Sequence, residues 1–216
     1  EPVGEVARRE NNQVRSLSYD LMQSQLWALL PSFCTQPSDI AVSFAVIAKP
    51  LGSLLSNQKD QRLSVMSALR HLVTYARDNN RTQDVSELAR FAKNYLPILF
   101  NLYTTPVKGS DEEGIRLATL ETVKVYLSVS PSELCSELFD RALVKLDTLE
   151  KNENFVRESV LDLLRSLAVI PGHGQGEGSL HTDCCQTQGN HRPQKNRRNT
   201  TAPWQTEDNV WQPIEW

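Results

Sequence analysis

The segment IRLATLETVKVYLSV (residues 115–129) has the same pattern as VRESVLDLLRSLAVI (residues 156–170), which lies 41 positions further along the chain. Each copy begins with an aliphatic residue followed by an arginine, Arg116 or Arg157, and then places apolar residues at helical spacing. A period of about 40 residues, in which each unit is a pair of helices, is typical of HEAT and armadillo arrays. The repeat therefore predicts an all-α, HEAT- or armadillo-like solenoid.

The rest of the first 170 residues also has the pattern of helices separated by short breaks, without strand-like alternation. Glycine, which destabilises helix interiors, is nearly absent before residue 171. We predict a helical domain at residues 19–170, preceded by a flexible segment at residues 1–18 and followed by a disordered tail at residues 171–216. About seven helices are predicted, near residues 19–34, 38–56, 59–78, 84–103, 111–129, 131–148 and 153–170.

Two of these helices have a recognisable sequence signal at their first turn. In a capping box, a serine oxygen and a glutamate three residues later each accept a hydrogen bond from a free backbone N–H at the helix start. The sequences SDEE (residues 110–113) and SPSE (residues 130–133) fit that pattern. Pro131 also fits the first helical position, where no backbone donor is lost. We therefore predict helix starts at both places.

Pro97 lies inside one predicted helix, in the apolar segment NYLPILF (residues 94–100). Proline removes a backbone donor and collides with the preceding turn, which costs about 3 kcal/mol or more in a helix interior. A second Leu-Pro step occurs at Pro31, in LWALLPSF (residues 26–33). Because the apolar stripe continues on both sides of Pro97, we predict a kink there, with the freed carbonyl facing solvent on the convex side of the array. The alternative is that Pro97 separates two short helices.

Composition and motifs limit the classes of function. The net charge of −3 does not predict nucleic-acid binding, so any such contact requires a local patch of basic residues. His71 is the only histidine in the helical region, where we expect it to be solvated on the surface, and no Gly-rich phosphate loop, HExxH or GxSxG motif occurs. We predict that the protein is not an enzyme and that it takes no cofactor, small-molecule substrate or membrane partner.

The N-terminal sequence and the cysteines indicate in which cellular compartment the protein is found. The opening residues EPVGEVARRENNQVRS are too polar for a signal peptide, and no apolar run approaches the roughly 20 residues of a membrane-spanning helix. Cys34 and Cys135 stand alone in apolar surroundings, as buried free thiols do. The cysteines do not form a secreted disulfide framework. We therefore expect a soluble, intracellular protein.

The composition changes abruptly after Ile170, where PGHGQGEGSL contains four glycines in ten residues. Few aliphatic residues follow, so the tail cannot bury enough apolar surface to offset the entropy of ordering. Its histidines and cysteines lack the paired spacing of a structural zinc site, so no metal site is predicted; they are His173, His181, Cys184, Cys185 and His191. The basic cluster RPQKNRR (residues 192–198) fits a nuclear-import or phosphate-contacting patch, or simply a solvated stretch of tail.

Four basic residues fall in one narrow sector of the helix predicted at residues 59–78, because successive helical residues turn by about 100°. We name Lys59, Arg62, Arg70 and Arg77 the basic line; it adjoins an apolar stripe on the same helix. Such a line fits contact with RNA phosphates or with an acidic partner. It also fits a structural role, in which the aliphatic stems of the basic side chains cover the edge of the apolar stripe.

The segments LWALLPSFCTQPSDIAVSF (residues 26–44) and RFAKNYLPILFNLYTTPV (residues 90–107) closely resemble the ribosomal RNA-processing protein twelve-like family. SALRHLV (residues 67–73) and VRESVLDLL (residues 156–164) extend the resemblance over roughly residues 15–170. The resemblance implies a nuclear and nucleolar HEAT-repeat scaffold of ribosome biogenesis, without catalytic residues. It also implies association with small-subunit precursors, support of ribosomal RNA processing and of nuclear export of both subunits, and links to RNA and to the Ran and karyopherin transport factors.

Two features depart from the family pattern. Family members are much longer, and the sequence after Ile170 does not continue their helical pattern, as in a fragment, a splice variant or a mispredicted reading frame. The last helix, with Val156, Val160, Leu163 and Leu167, would then lack a stacking neighbour, so we expect a marginally stable or self-associating chain. Two other functions stay open: a transport-receptor-like or generic adaptor that binds peptides, and a nucleic-acid-binding module organised by a metal-bound tail.

Overall fold

The computed structural model describes residues 3–106 and 111–169, which form eight α-helices and a short 3-10 helix, without a strand among them. The all-α prediction is confirmed. The elements are α1 (Val3–Phe33), α2 (Ile40–Asn57), the 3-10 turn (Lys59–Gln61), α3 (Arg62–Asp78), α4 (Thr82–Arg90), α5 (Ala92–Thr104), α6 (Asp111–Leu127), α7 (Ser132–Thr148) and α8 (Asn154–Ala168).

The helices are arranged in two layers. In one layer α1 packs on α3, α3 on α6, and α6 on α8; in the other, α2 packs on α4 and α5. Consecutive helices connect the two layers by packing against each other in pairs. These pairs are α2 with α3, α5 with α6, and α7 with α8. The second helix of each pair therefore stacks on the second helix of the next pair, which is the arrangement of a HEAT array.

Four aromatic side chains join the two layers at the centre of the core, and each is at most 2 % exposed. The ring of Phe44 on α2 meets the ring of Phe91 edge to face, with 5.4 Å between the centroids. The rings of Tyr95 on α5 and Tyr126 on α6 lie 5.6 Å apart. Aromatic pairs in such geometry add to the free energy gained by burying their area. This aromatic cluster connects α2, α5 and α6.

The two tyrosines of the aromatic cluster also satisfy their hydroxyl groups. The Tyr95 hydroxyl donates to the Ala48 carbonyl at 2.7 Å, and the Tyr126 hydroxyl donates to the Leu88 carbonyl at 2.9 Å. Burial raises the pKa of both phenols well above their ordinary value, because the charged form has no access to water. Both side chains are therefore neutral hydrogen-bond donors that fix the distance between neighbouring helices.

Helix α1 begins at Val3, far before the start predicted near Tyr19. Residues 12–23 are all exposed, so this part of the helix has no buried face. Apolar periodicity detects a helix only through the stripe that it buries, whereas residues such as Glu, Arg and Gln favour helix without one. The predicted boundary at residue 19 is thus not a helix start.

The helix predicted over residues 84–103 is two helices, α4 and α5, which meet at Phe91. The Phe91 N–H donates to the Leu88 carbonyl at 3.1 Å, three residues back, so the chain tightens and turns there. Pro97 lies inside α5 and is buried. The alternative in which Pro97 separates two helices is therefore wrong, whereas the kink at Pro97 stays a prediction. The bend instead places the Phe91 ring in the core.

The two predicted capping boxes have different outcomes. The first, at residues 110–113, begins with a serine that lies outside the described residues. The second is wrong, because α7 begins at Ser132 and no side chain caps it. The Ser130 hydroxyl instead donates to the Tyr126 carbonyl at 2.8 Å, near the end of α6, and this carbonyl also accepts from the Val129 N–H at 3.2 Å. Ser130 therefore completes the preceding helix rather than starting the next.

By length and composition alone, α2 is apolar enough to cross a bilayer, contrary to the expectation that no segment would be. Its sequence contains a single charged residue, Lys49, although it is rich in small side chains. About two fifths of the helix, 39 %, is buried inside the protein, where Phe44, Leu51 and Leu55 face the core. The core helix of a soluble protein passes the same test, so this is weak evidence for a membrane span.

The last described helix turns its apolar residues inward. Val160, Leu163 and Leu167 of α8 are each fully buried, and Val156 is half-buried against a small cluster with Ala142. These four residues therefore pack within the protein rather than waiting for a further helix, and the expected marginal stability or self-association stays a prediction. The predicted disordered tail, its histidines and cysteines and the basic cluster at residues 192–198 lie outside the described residues. Cys34 and Cys135 are confirmed as buried free thiols.

Candidate functional site

Near the start of the second helix of each pair, an arginine donates to a backbone carbonyl at the end of the first helix or, for Arg157, in the connection just after it. Carbonyls at a helix C-terminus lack intrahelical hydrogen-bond partners and carry partial negative charge. A guanidinium supplies both the hydrogen-bond donors and the positive charge that these carbonyls favour. The hydrogen bonds are Arg62 Nε and Nη2 to the carbonyls of Leu55 and Ser56 (3.0 and 2.9 Å), Arg116 Nη1 to that of Tyr103 (3.2 Å), and Arg157 Nη2 to that of Glu150 (2.9 Å). We call these three residues the pair arginines.

The repeat found in the sequence extends to the ion pairs of α6 and α8. Lys124 Nζ lies 3.1 Å from Glu121 Oε1 on α6. At the equivalent positions of α8, Arg165 Nη1 lies 3.3 Å from Asp162 Oδ1. The two helices therefore occupy the same place in successive pairs.

The three arginines of the basic line form hydrogen bonds within the protein. Arg62 is one of the pair arginines. Arg70 Nη1 donates to the Ala118 carbonyl at 3.1 Å and to Thr122 Oγ1 at 2.7 Å, so it connects α3 to α6. Arg77 forms an ion pair with Asp78 at 2.8 Å and donates to Ser128 Oγ at 3.1 Å. The arginines thus contribute to helix packing, which is a different structural role from covering the apolar stripe.

Two separate concavities divide the basic line. Lys59 and Arg62 line a cleft of about 490 Å³ between the starts of α3, α6 and α8 and the end of α5. Arg70 lines a groove of about 470 Å³ between α1, α3 and α6, together with His71 and Thr74. Burial lowers the pKa of Arg70, and the negative charge of Glu121 opposes that shift. The line is therefore not one continuous charged edge.

His71 is half-buried rather than solvated as predicted. Its Nδ1 lies 2.9 Å from the Pro31 carbonyl, near the end of α1. Because a carbonyl can only accept, Nδ1 carries the hydrogen in this contact. The residue therefore helps to hold the C-terminal turn of α1 against α3, a role that spacing along a single helix cannot predict.

The side chain of Arg116 forms one wall of the 490 Å³ cleft. Its guanidinium lies 4.1 Å from the centre of the Tyr103 ring and 4.6 Å from that of Phe155, and it donates to Ser159 Oγ at 2.9 Å. The Tyr103 hydroxyl donates to Asp162 at 2.9 Å; burial and this carboxylate raise the pKa of Tyr103 to about 12. Arg116 thereby joins α5, α6 and α8. In the sequence, the role of Arg116 was indicated only by the aliphatic-Arg step of the repeat.

The side chains that line these concavities suit the binding of a ligand. The 490 Å³ cleft presents cations, an exposed apolar residue, Leu117, and the partly exposed ring of Phe155. Within the part of the chain that the structure describes, no group of three His, Cys, Asp or Glu side chains could hold a metal ion. Cationic, aromatic and apolar surfaces together suit a phosphate-bearing or peptide ligand.

A family described as "Ribosomal RNA-processing protein 12, HEAT repeats" matches residues 3–106. The chain is 45 % identical over 156 residues to the RRP12-like protein of Homo sapiens, covering 72 % of this chain and 12 % of the human protein. It is 37 % identical over 168 residues to that of Gallus gallus, covering 78 % and 13 %. It is 29 % identical over 142 residues to "Ribosomal RNA-processing protein 12" of Saccharomyces cerevisiae, covering 56 % and 11 %. The chain spans about one eighth of the length of these relatives.

Proposed function

Since this chain belongs to the family of ribosomal RNA-processing protein 12 HEAT repeats, we propose that it acts as a non-catalytic scaffold in ribosome biogenesis. In this role it supports ribosomal RNA processing and the maturation or nuclear export of pre-ribosomal subunits. Its location is the nucleus and nucleolus. Its partners are small-subunit precursors, RNA, and the Ran and karyopherin transport factors.

The observation that carries the proposal is the family match over residues 3–106, which covers α1 to α5. The name of the yeast relative, "Ribosomal RNA-processing protein 12", supports the processing role. The two-layer helical array supports the scaffold role, because such arrays bind through extended surfaces rather than in one reactive cleft. Cations and partly exposed aromatic rings in the concavities suit contact with ribonucleoprotein particles.

Co-purification tests this proposal. The tagged 216-residue chain should recover precursor ribosomal RNA and small-subunit assembly factors from a nuclear extract, about tenfold above the tag alone. A second arm places this chain in the human relative instead of the equivalent segment, so that the rest of that protein is present. If both arms recover transport cargo or peptide motifs without precursor RNA, the alternative function holds: a transport-receptor-like or generic protein-binding adaptor.

We further propose that the basic line contacts RNA phosphates. This proposal concerns only the RNA-binding part of the function and can be tested separately. Replacing Arg62, Arg70 and Arg77 together with glutamine should reduce the salt dependence of RNA binding by about 2 in the log–log slope, since each phosphate contact with single-stranded RNA contributes about 0.7. The measurement is fluorescence anisotropy with a labelled single-stranded RNA at several salt concentrations. An unchanged slope contradicts contact by these residues.

Because these arginines also form hydrogen bonds within the protein, the effect of removing their charge must be distinguished from an effect on folding. Substituting lysine at the same three positions keeps the charge but loses the forked hydrogen bonds to Ser56 and Thr122. The lysine variant should therefore lose stability yet keep the salt slope. A matched control removes three exposed charges elsewhere, Lys49, Arg141 and Lys151, and should change the slope much less.

A further inference from the structure

Five large apolar side chains of α1 are exposed along one line of the helix. Their spacing alternates between three and four residues, and between 51 % and 76 % of each side chain is open to solvent; they are Tyr19, Met22, Leu26, Leu29 and Phe33. We call this line the α1 seam. Four of the five line a groove of about 350 Å³ along this face, together with Gln23, Trp27 and Leu30. A 3–4 spacing of apolar residues is the pattern with which one α-helix packs along another.

The occupant of the α1 seam is indicated by its symmetry. Read from either end, the seam runs aromatic, aliphatic, Leu26, aliphatic, aromatic. If a second α1 lies antiparallel with Leu26 at the two-fold axis, Tyr19 of one chain comes to the level of Phe33 of the other, and Met22 to the level of Leu29. A two-fold interface requires such a self-complementary patch.

The uncharged residues beside the seam point to the same occupant. The flanking positions on both sides hold only uncharged residues, namely Ser18, Gln23, Gln25, Leu30 and Ser32. Flanking charges are what select a different partner helix, so their absence leaves pairing with an identical helix unopposed. Arg15 occupies the next position of the seam pattern. A parallel pair would bring the two Arg15 side chains together, whereas the antiparallel pair places each of them beyond the overlap.

We propose that the α1 seam forms an antiparallel two-fold interface with a second copy of this chain. The inference is independent of the proposed role in ribosome biogenesis, because it uses only the exposed face of α1. The overlap from Tyr19 to Phe33 is about 21 Å long, at 1.5 Å per residue. An interface of this size is small, so the dimer is expected to form reversibly and to depend on concentration.

Sedimentation equilibrium of the full 216-residue chain, from about 1 µM to about 1 mM, tests the proposal. The wild type should move from monomer to dimer mass within that range. Leu26→Glu, which places two carboxylates face to face at the axis, should weaken the dimer at least tenfold. Val42→Glu is the matched control, since Val42 is a single exposed apolar residue on α2. A wild type that stays monomeric, or equal weakening by both variants, overturns the proposal.

Cross-linking tests the direction of the pair. In a chain with Cys184→Ser and Cys185→Ser, a short bismaleimide should join two Leu26→Cys copies, because their side chains meet at the axis. It should not join two Tyr19→Cys copies, which lie about 21 Å apart along the helix in the antiparallel pair. Efficient cross-linking at both positions would show a parallel pair and refute the antiparallel interface. Cross-linking at neither position would also overturn the interface between two copies.

Discussion

Tyr126→Ala should lower the free energy of unfolding by about 3–5 kcal/mol, the usual cost of truncating a buried aromatic side chain to alanine. The ring is fully buried in the aromatic cluster, 5.6 Å from that of Tyr95. Its removal leaves a cavity between the two layers and takes away the donor to the Leu88 carbonyl. Urea unfolding followed by circular dichroism measures the change. Since typical domains are stable by only about 5–15 kcal/mol, the variant should be close to unfolding at 37 °C.

Two companion variants separate the contributions to this loss. Tyr126→Phe keeps the ring and removes only the hydroxyl, so we expect a loss of about 1 kcal/mol. Val42→Ala shortens a side chain that is 83 % exposed and should change stability by less than about 0.5 kcal/mol. A Tyr126→Ala protein as stable as the Val42→Ala protein would contradict the central position of the aromatic cluster.

Arg116→Met should be the second most damaging change, with a loss of about 2–4 kcal/mol. The guanidinium stacks between two rings and makes charged hydrogen bonds, each of which typically contributes about 1.5–3 kcal/mol. Methionine keeps much of the side-chain volume but neither the planar group nor its donors. Because Arg116 joins α8 to α5 and α6, amide hydrogen exchange of α8 should accelerate more than that of α3.

Arg165→Met is the matched control for this change. Arg165 also pairs with Asp162, but its side chain is 80 % exposed. Exposed ion pairs contribute about 0–1 kcal/mol, so the control should leave both stability and the exchange of α8 nearly unchanged. Equal effects of the two substitutions would mean that the stacking of Arg116 between Tyr103 and Phe155 contributes nothing to stability.

The helical class and the pairing of helices could be predicted from sequence, because apolar periodicity reports which face a helix buries. The correspondence of α6 and α8 was visible in the spacing of Arg116 and Arg157, and the structure repeats it in hydrogen bonds. The start of α1 could not be found in this way, since residues 12–23 of that helix bury no stripe. The turn at Phe91 was also hidden, because it is decided by where a large ring fits between layers rather than by a local breaker such as Pro97.

The partners of individual side chains were beyond sequence reasoning for a related reason. Helical geometry placed Arg62, Arg70 and Arg77 on one side of a helix, yet it carries no information about what lies opposite. Arg62 also belongs to the pair arginines, but it lies 54 residues before Arg116, whereas Arg116 lies 41 before Arg157. This unequal spacing concealed the first member of the series. His71 was missed because its partner, the Pro31 carbonyl, is distant in the chain.

The pair arginines have a consequence for how such arrays can diverge. An arginine side chain, rather than the connecting segment, holds the end of one helix against the start of the next. The angle between the two helices therefore does not depend on the length or sequence of the connection. The connections at residues 58–61 and 105–110 differ in sequence and in length, although an arginine donates across each of them to the end of the preceding helix. Insertions at these points should therefore extend the molecular surface with new recognition elements while the geometry of the array is retained.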